Sequence, residues 1–480
     1  MNDMKYISEW DAERAMKDFE VDRVLLAEVL DTALSRGGDF GELYFQDLVS
    51  VNLYLDDHLV RSASQHVVRG VGLRVLKGDQ MGFSHCVSMD RASLLKAADI
   101  ASRIADGSRS VRSRDLTPRP VPAIYSDGDS DFDIAALRTW LESVDAAVSG
   151  LDSRVIKCTA GSYASRDRIL IVNSEGLIAH DDRPDCGSWV QCVAQAGDRC
   201  ESNGTSRGWR RRQSAVFTPA LAREMAREVV ASTVELFDAV EAPAGEFPLV
   251  LEAGEGGILV HEAMGHGFEA DFIRKNTSIF SGRLGQRCAP DFVNIFDTGI
   301  HSDDRGSLCI DDEGTPAQET CLVRNGTLES WMHDRVSARH FNLAPTGNGR
   351  RQCYQDLPIP RMRSTSIAAG PHDREEIIAS TKWGIYARQF SNGQVNIGQG
   401  DFTFYMKRGY LIENGRLGRP IKDVNIIGNG PKILEELEMV GNDLVVPAAM
   451  GGCGKNGQSV PILCGSPTLT LPKLTVGGRS

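Results

Sequence analysis

The chain has 480 residues, of which 41% are hydrophobic and 25% are charged, as in ordinary globular proteins. A chain of 480 residues is longer than one hydrophobic core usually organises, so two or three domains are expected. The formal net charge of −12 argues against a nucleic-acid-binding protein, because such a protein needs a basic face to neutralise phosphates.

The composition also bears on the compartment. The first residues, MNDMKYISEWDAERAMKDFE, lack the apolar run of a secretory signal. No stretch approaches the roughly 18 consecutive apolar residues of a membrane-spanning helix. The 11 cysteines form no CxxC pair, which is typical of reduced thiols. We therefore expect a cytoplasmic protein with no membrane span.

Helices and strands alternate in the first half of the chain. Amphipathic patterns predict helices over residues 21–35, 90–105, 134–148 and 219–239. Alternating patterns predict strands over 47–60, 67–83, 155–162, 168–172, 177–180 and 189–195. The Pro- and Ser-rich segment 106–131 predicts an exposed linker or long loop.

The segment EAPAGEFP, residues 241–248, predicts a domain boundary. Beyond it, glycine-rich turns separate short apolar runs, and one helical segment around 256–272 lies at the start of this part. We therefore predict an α+β fold, with an N-terminal mixed α/β domain over residues 1–240. A mostly β C-terminal domain with few helices, over 246–480, would carry the helix of the candidate metal site.

That helix contains VHEAMGHGFEAD, residues 260–271, in which His261, Glu262 and His266 form an HExxxH motif. The zinc-protease signature HExxH is one residue shorter and puts both histidines on one helical face. In an α-helix, positions i and i+5 are about 140° apart, against about 40° for i and i+4. Both rings can reach one ion only if the helix widens into a π-type turn or ends between them, which Gly265 and Gly267 permit.

The motif leaves two interpretations open. A polar helix that carries two histidines without a metal is one of them. For a catalytic zinc, two histidines are too few, because such a site usually has three protein ligands. On chemistry alone the third could be any of several thiols, namely Cys288, Cys309, Cys321, Cys353, Cys453 or Cys464.

An ordered series of blocks resembles the TldD/PmbA family of zinc metalloproteases. It includes GEGGILVHEAMGHGFEAD (254–271), IDDEGTP (310–316), PTGNGRRQ (345–352), GNGPKILEELEMVGNDL (428–444) and GGCGKNGQSVP (451–461). The resemblance covers the second domain and extends more loosely into the first. Within the family the chain is similar to the TldD branch, because the PmbA (TldE) branch lacks the HExxxH motif.

This resemblance implies a zinc-dependent peptidase that hydrolyses unfolded or short peptides. It implies one Zn²⁺ per chain, held by His261, His266 and Cys453, with Glu262 as the general base. It also implies a heterodimer with a PmbA/TldE-like partner, although a homodimer is compatible with the sequence.

Four further residues are candidates for supporting roles. Glu269 and Asp271 could accept the free ring N–H of a ligand histidine, or they could simply be solvated at a helix end. Arg350 and Arg351 could clamp a substrate carboxylate, or they could lie on the surface. The acidic turn 311–313 could bind a cation or hold a loop together.

Two blocks depart from the family pattern. SNGQV (391–395) stands where the family has GGGQV, and RMRST (361–365) stands where it has RMxNT. These departures favour an alternative, an amide hydrolase in peptide-antibiotic or other small-molecule biosynthesis. A third interpretation is a non-catalytic peptide-binding or assembly subunit.

Overall fold

One large sheet organises the first half of the chain. The computed structural model describes residues 11–108, 111–125, 132–396 and 398–478. The strands of this sheet are β1 (Phe40–Asp56), β2 (Leu59–Lys77), β3 (Gln80–Cys86), β4 (Thr117–Pro118), β5 (Val155–Asn173), β6 (Leu177–Ala196) and β7 (Arg199–Trp209). Their order is β3-β2-β1-β5-β6, and β6 also pairs with β7 and, in parallel, with the short β4.

Helices cover one face of this sheet. They are α1 (Ala12–Asp18), α2 (Arg23–Ala33), α3 (Arg91–Ser102), α4 (Ile134–Leu151), α5 (Gln213–Val216) and α6 (Pro219–Glu235). On β1, Leu43 and Phe45 share a core with α1–α3, whereas Val51 and Leu53 share one with α4 and α6. All four positions are odd-numbered, and alternate residues of a strand point to the same face, so the helices divide one face between them.

The opposite face of the sheet meets the second half of the chain. Tyr44 of β1 packs in one cluster with Ile310 and Tyr354. Arg74 of β2 lies 2.9 Å from Glu42 and 2.6 Å from Glu313, and all three side chains are fully buried. The two halves are therefore joined by both apolar packing and a buried ion network.

Two sheets dominate the second half. Its strands are β8 (Val240–Glu241), β9 (Gly245–Leu251), β10 (Ile295–Thr298), β11 (Glu319–Arg324), β12 (Thr327–Leu328), β13 (Gly349–Arg350), β14 (Ile359–Pro360), β15 (Ser364–Ile367), β16 (Trp383–Val395), β17 (Asp401–Glu413), β18 (Arg416–Asn429), β19 (Met439–Val440), β20 (Gly452–Lys455), β21 (Gln458–Pro461), β22 (Leu463–Gly465) and β23 (Leu469–Gly478). The larger sheet runs β19-β23-β9-β16-β17-β18-β8, and β23 also pairs with β18, which closes a ring of strands. The smaller sheet runs β12-β11-β10-β15-β22.

The helices of the second half are short. They are α7 (Gly257–Leu259), α8 (Ala270–Arg274), α9 (Arg335–Phe341), α10 (Arg374–Ser380) and α11 (Gly430–Glu435). The HExxxH segment follows α7, and its Val260 and Met264 share a core with Leu249 of β9 and Ile295 of β10. The motif is therefore packed between the strand ring and the smaller sheet.

The α+β prediction is confirmed, since helices cover a sheet in the first half and strands dominate the second. The strands predicted over 155–162 and 168–172 are one strand, β5, because β1 and β6 pair along nearly its whole length. Of the expected linker, residues 109–110 and 126–131 lie outside the described residues, and the remainder contains only β4. The domain boundary at 241–248 stays a prediction.

One further observation concerns membranes. Within the described ranges, no helix is both long enough and apolar enough to cross a bilayer.

Candidate metal centre

A wide turn brings the two histidines of the motif together. Val260–Met264 form a π-helix, and Gly265–Phe268 continue as a 3₁₀-helix. The N–H of Gly265 points to the carbonyls of both Val260, five residues earlier, and His261, four residues earlier. The wide hydrogen-bond pattern of the π-helix therefore ends at Gly265. The rings of His261 and His266 lie 5.0 Å apart between centroids. The structure thus has the widening at Gly265 that the HExxxH spacing requires.

The close packing at Gly265 explains why the turn uses glycine. A Cβ atom there would lie 2.2 Å from the Sδ atom of Met362 and 3.2 Å from the carbonyl oxygen of Val260. Met362 is fully buried and has little room to move. A larger residue at position 265 would therefore push the motif away from Met362.

A hairpin from the far end of the chain supplies the cysteine. Strands β20 and β21 are joined by Asn456 and Gly457, which both have positive φ as a two-residue type I′ turn requires. Cys453 and Lys455 are alternate residues of β20 and are both buried on the same face. The carbonyl of Cys453 accepts a hydrogen bond from the buried guanidinium of Arg361. The thiol is therefore held on a rigid element.

Donor atoms of His261, His266 and Cys453 all lie within 4.8 Å of one another, and all three residues are buried. The Sγ of Cys453 is 3.4 Å from Nε2 of His266. Burial alone would raise the pKa of the Cys453 thiol, but the two histidine rings outweigh it and lower the pKa to about 5. At neutral pH this sulfur is a thiolate, the form that binds metal.

His261 provides an independent test of whether the cluster fits a metal. Both of its ring nitrogens are buried, and neither has a hydrogen-bond partner among the described residues. A buried polar atom without a partner costs about 1–3 kcal/mol. Coordination would satisfy one of these nitrogens. Imidazole and thiolate are both zinc ligands, and three protein ligands leave one position open.

A carboxylate behind the cluster orients His266. Nδ1 of His266 is 2.8 Å from Oε2 of Glu269, so Nε2 is left to face the thiolate. Burial opposes ionisation of Glu269, but Lys455 and His266 hold its pKa down at about 2. Glu269 therefore has the contact that orients a ligand histidine.

Lys455 is a residue of this site that sequence reasoning missed. Its Nζ donates to Oε2 of Glu269 at 3.0 Å, to Oδ1 of Asp271 at 2.7 Å and to the carbonyl of Pro360 at 3.0 Å. The sequence suggested that Asp271 accepts the ring N–H of a ligand histidine, but in the structure it contacts Lys455. The sequence could have indicated this position of Lys455, because residues two apart on a strand share a face and Lys455 is two residues from Cys453.

Arg350 and Arg351 lie elsewhere. Both are buried, so the surface alternative is wrong. Arg350 donates to the carbonyl of Met362, and Arg351 donates to Glu42 and to the backbone of Asp312 between the two halves. Burial lowers the pKa of Arg350 to about 9. Neither lines the cavity next to the motif, where a substrate carboxylate would enter.

The acidic turn 311–313 is also buried. The side chain of Asp311 accepts backbone N–H groups from Glu313, Thr315 and Gly349 at 2.8–3.0 Å. These contacts fit the interpretation that the turn holds a loop together.

A cavity of about 640 Å³ adjoins the cluster, and both His261 and Glu262 line it. Its walls come from β6, β7, α6, β16 and the loop before β20. Glu262 is partly exposed to this space, whereas both candidate histidine ligands are buried. The arrangement places a carboxylate at the accessible side of the donor cluster, where a general base would meet water and substrate.

The other cysteines are not part of the donor cluster among the described residues. Cys464 is the strongest rival of Cys453 as a ligand, because it lines the same cavity as His261 and Glu262. Burial first, and then Glu262, raise the pKa of its thiol to about 12, so it stays protonated. The geometry therefore distinguishes Cys453 from its rivals, which the residue pattern alone did not.

Comparison with known proteins places the chain in a family. Profiles described as PmbA/TldA metallopeptidase domain 1, central domain and C-terminal domain match residues 41–105, 127–237 and 244–478. A Buchnera aphidicola protein named "Metalloprotease TldD homolog" is 36% identical over 448 residues, 92% of this chain and 93% of that protein.

Two further comparisons extend this result. A Saccharolobus solfataricus protein named "Zinc metalloprotease TldD homolog" is 35% identical over 236 residues, 49% of this chain and 52% of that protein. The crystal structure of TldE from Thermococcus kodakarensis shares the fold, with a TM-score of 0.72 at 16% identity over 97% of this chain and 100% of that one. The chain therefore belongs to the PmbA/TldD family of metallopeptidases.

Proposed function

We propose that this protein is a zinc-dependent peptidase that hydrolyses unfolded or short peptides. The observation that carries the proposal is the buried cluster of His261, His266 and Cys453, with donor atoms within 4.8 Å, beside Glu262 and a cavity of about 640 Å³. Relatives named as metalloproteases support a hydrolytic role for the same chain.

Zinc is the metal that the donor set favours. Thiolate with imidazole suits zinc, whereas magnesium and calcium prefer oxygen ligands. The name of the Saccharolobus relative also supports zinc. We propose one ion per chain, with His261, His266 and Cys453 as its protein ligands.

The chain's own residues then divide the chemistry. A bound zinc ion would polarise the scissile carbonyl and make a water molecule more acidic. Glu262 accepts the proton of the attacking water and passes it to the leaving amine. Glu269 keeps the ring of His266 in one orientation, and Lys455 compensates the buried charge of Glu269. Buried walls around the cluster exclude bulk water from the thiolate.

We further propose a cytoplasmic protein that works with a TldE-like partner as a heterodimer. A thiolate ligand stays unoxidised most readily in a reducing compartment. The cysteines of this chain lack the regular spacing of a disulfide framework, which is typical of proteins in such a compartment. The shared fold with TldE supports a partner of the same architecture.

A second candidate is an amide hydrolase acting on a small or modified peptide. The volume of the cavity favours it, since about 640 Å³ falls within the range of small-ligand sites. Efficient cleavage of generic unstructured peptides would decide against this candidate.

The proposal is tested by Glu262→Gln in the full-length zinc-loaded protein. The substitution keeps the shape of the side chain and removes its basicity, so zinc content should match wild type. Peptide hydrolysis should fall by about 10²–10⁴-fold. Unchanged hydrolysis at equal zinc content would contradict the role of Glu262.

A further inference from the structure

The cavity beside Glu262 is rich in charged side chains. It is lined by Arg207, Arg388, Arg408, Glu228, Glu255 and Glu262. Their partners determine which of these charges remains available to a substrate.

All three arginines already have carboxylate partners. The pairs are Arg207–Glu228, Arg388–Glu252 at 3.2 Å and Arg408–Glu235 at 2.6 Å. Glu228 also accepts a hydrogen bond from Thr205 at 2.8 Å, and Glu235 one from the hydroxyl of Tyr410. The cationic charge of the cavity wall is therefore compensated within the protein.

Two carboxylates of the wall have no such compensation. Within the described part of the chain, neither Glu255 nor Glu262 has a side-chain cation within ion-pair distance. Glu255 accepts one hydrogen bond, 3.1 Å from the backbone N–H of Phe390. Burial raises the pKa of Glu255 to about 7, because the N–H of Phe390 and the charge of Arg408 offset only part of its effect.

Glu255, Glu262 and Cys464 line the same cavity. Both carboxylates add to the raised pKa of the Cys464 thiol, of which burial is the largest cause. Glu262 is the proposed base, so Glu255 lines the cavity that must hold the scissile bond. A substrate group that compensates Glu255 would be held in the same cavity as the reacting carbonyl.

We propose that Glu255 is a specificity residue that binds a cationic group of the substrate, an ammonium or guanidinium, near the scissile bond. This inference rests on the proposed peptidase function and narrows its substrate class. Two sources carry such a group, a lysine or arginine side chain and a free peptide N-terminus.

The surroundings of Glu255 fit such a group. Ile258, Phe390 and Ile462 line the same cavity and offer apolar surface to the methylene stem of a basic side chain. A cation entering this space would give the buried carboxylate a charge-assisted hydrogen bond. We expect a preference of roughly 10- to 100-fold over a neutral analogue, or about 1.4–2.8 kcal/mol.

Binding is measured on the full-length, zinc-loaded Glu262→Gln variant, so that hydrolysis does not interfere. Three fluorescent peptides of otherwise identical sequence are compared. The first has a blocked N-terminus and one lysine, the second has Nε-acetyl-lysine instead, and the third has acetyl-lysine with a free N-terminus. We expect the first or the third to bind at least about tenfold more tightly than the second, which identifies the source of the cation.

A second substitution tests the assignment to Glu255. Adding Glu255→Gln should abolish the preference, whereas adding Glu224→Gln should keep it. Glu224 is an exposed residue of α6 outside the cavity, so the control removes the same charge without touching the site. Equal affinities for all three peptides, or a preference that survives Glu255→Gln, would overturn the proposal. The peptide comparison at intact Glu255 remains decisive if the Glu255 variant does not fold.

Failure of this inference is separable from failure of the peptidase function. Wild-type protein that cleaves all three peptides equally well would refute the cation subsite and leave the peptidase intact. A binding preference in a zinc-loaded wild-type protein that cleaves none of them would support the subsite and refute the peptidase.

Discussion

The Sγ of Cys453 lies 3.4 Å from Nε2 of His266, although 187 residues separate the two in the chain. The wide turn at Gly265 aims the histidine, and the β20–β21 hairpin carries the cysteine to it. The pair can form only when the hairpin is docked against the HExxxH segment. The geometry of the donor cluster therefore depends on both the local helix and the fold of the second half.

Removal of Cys453 should remove the metal. In Cys453→Ala the cluster keeps only two ligands, so we expect zinc content after gel filtration to fall from about one ion per chain to near zero. Cys353→Ala and Cys464→Ala are matched controls and should keep their zinc, because both thiols have raised pKa values of about 11 and 12. Full zinc content in Cys453→Ala would refute the ligand assignment.

Removal of Lys455 should destabilise the protein strongly. Lys455→Met leaves Glu269 and Asp271 buried without their shared cation, and an uncompensated buried charge costs about 3–5 kcal/mol. Urea denaturation measures the loss, with the exposed Lys473→Met as the control. Adding Asp271→Asn should recover part of the stability. A change below about 1 kcal/mol in Lys455→Met would contradict this account.

Addition of one methyl group at Gly265 should disturb the wide turn. Gly265→Ala places a Cβ 2.2 Å from the buried Sδ of Met362, so we expect a loss of about 1–3 kcal/mol and weaker zinc retention. Gly454→Ala, next to Cys453, is the control because nothing lies within 4 Å of its added Cβ. Zinc retention against a competing chelator compares the two. Equal retention would show that the turn does not depend on glycine.

Removal of Arg74 should weaken the contact between the two halves. Arg74→Met leaves Glu42 and Glu313 buried without that cation, which predicts a loss of about 3–5 kcal/mol in the free energy of unfolding. The exposed pair Arg138–Glu142 provides the control, and Arg138→Met should cost about 0.5 kcal/mol or less. Chemical denaturation followed by tryptophan fluorescence measures both. Similar losses in the two variants would argue against a structural role for the buried network.

The sequence predicted the local geometry of the site because that geometry follows from spacing. The i, i+5 separation of His261 and His266 cannot serve one ion from a regular α-helix, so a widened or broken helix followed directly.

Local sequence patterns could not predict contacts between segments that are far apart in the chain. The residues alone left six cysteines as rivals, and only the family resemblance singled out Cys453. Lys455 was missed because its partners, Glu269 and Asp271, lie more than 180 residues away. Arg350 and Arg351 were predicted to clamp a substrate or to lie on the surface. Their local sequence does not show that packing between the two halves buries them. The prediction split the continuous strand β5 in two, because its polar middle, residues 165–167, is paired on both sides only in the folded sheet.

Zinc K-edge X-ray absorption on the full-length, zinc-loaded protein would identify the ligand atoms of the metal. We expect one sulfur at about 2.3 Å and two imidazole nitrogens at about 2.0–2.1 Å, with the sulfur signal lost in Cys453→Ser. A first shell of nitrogen and oxygen alone, or a sulfur signal that survives in Cys453→Ser, would contradict it.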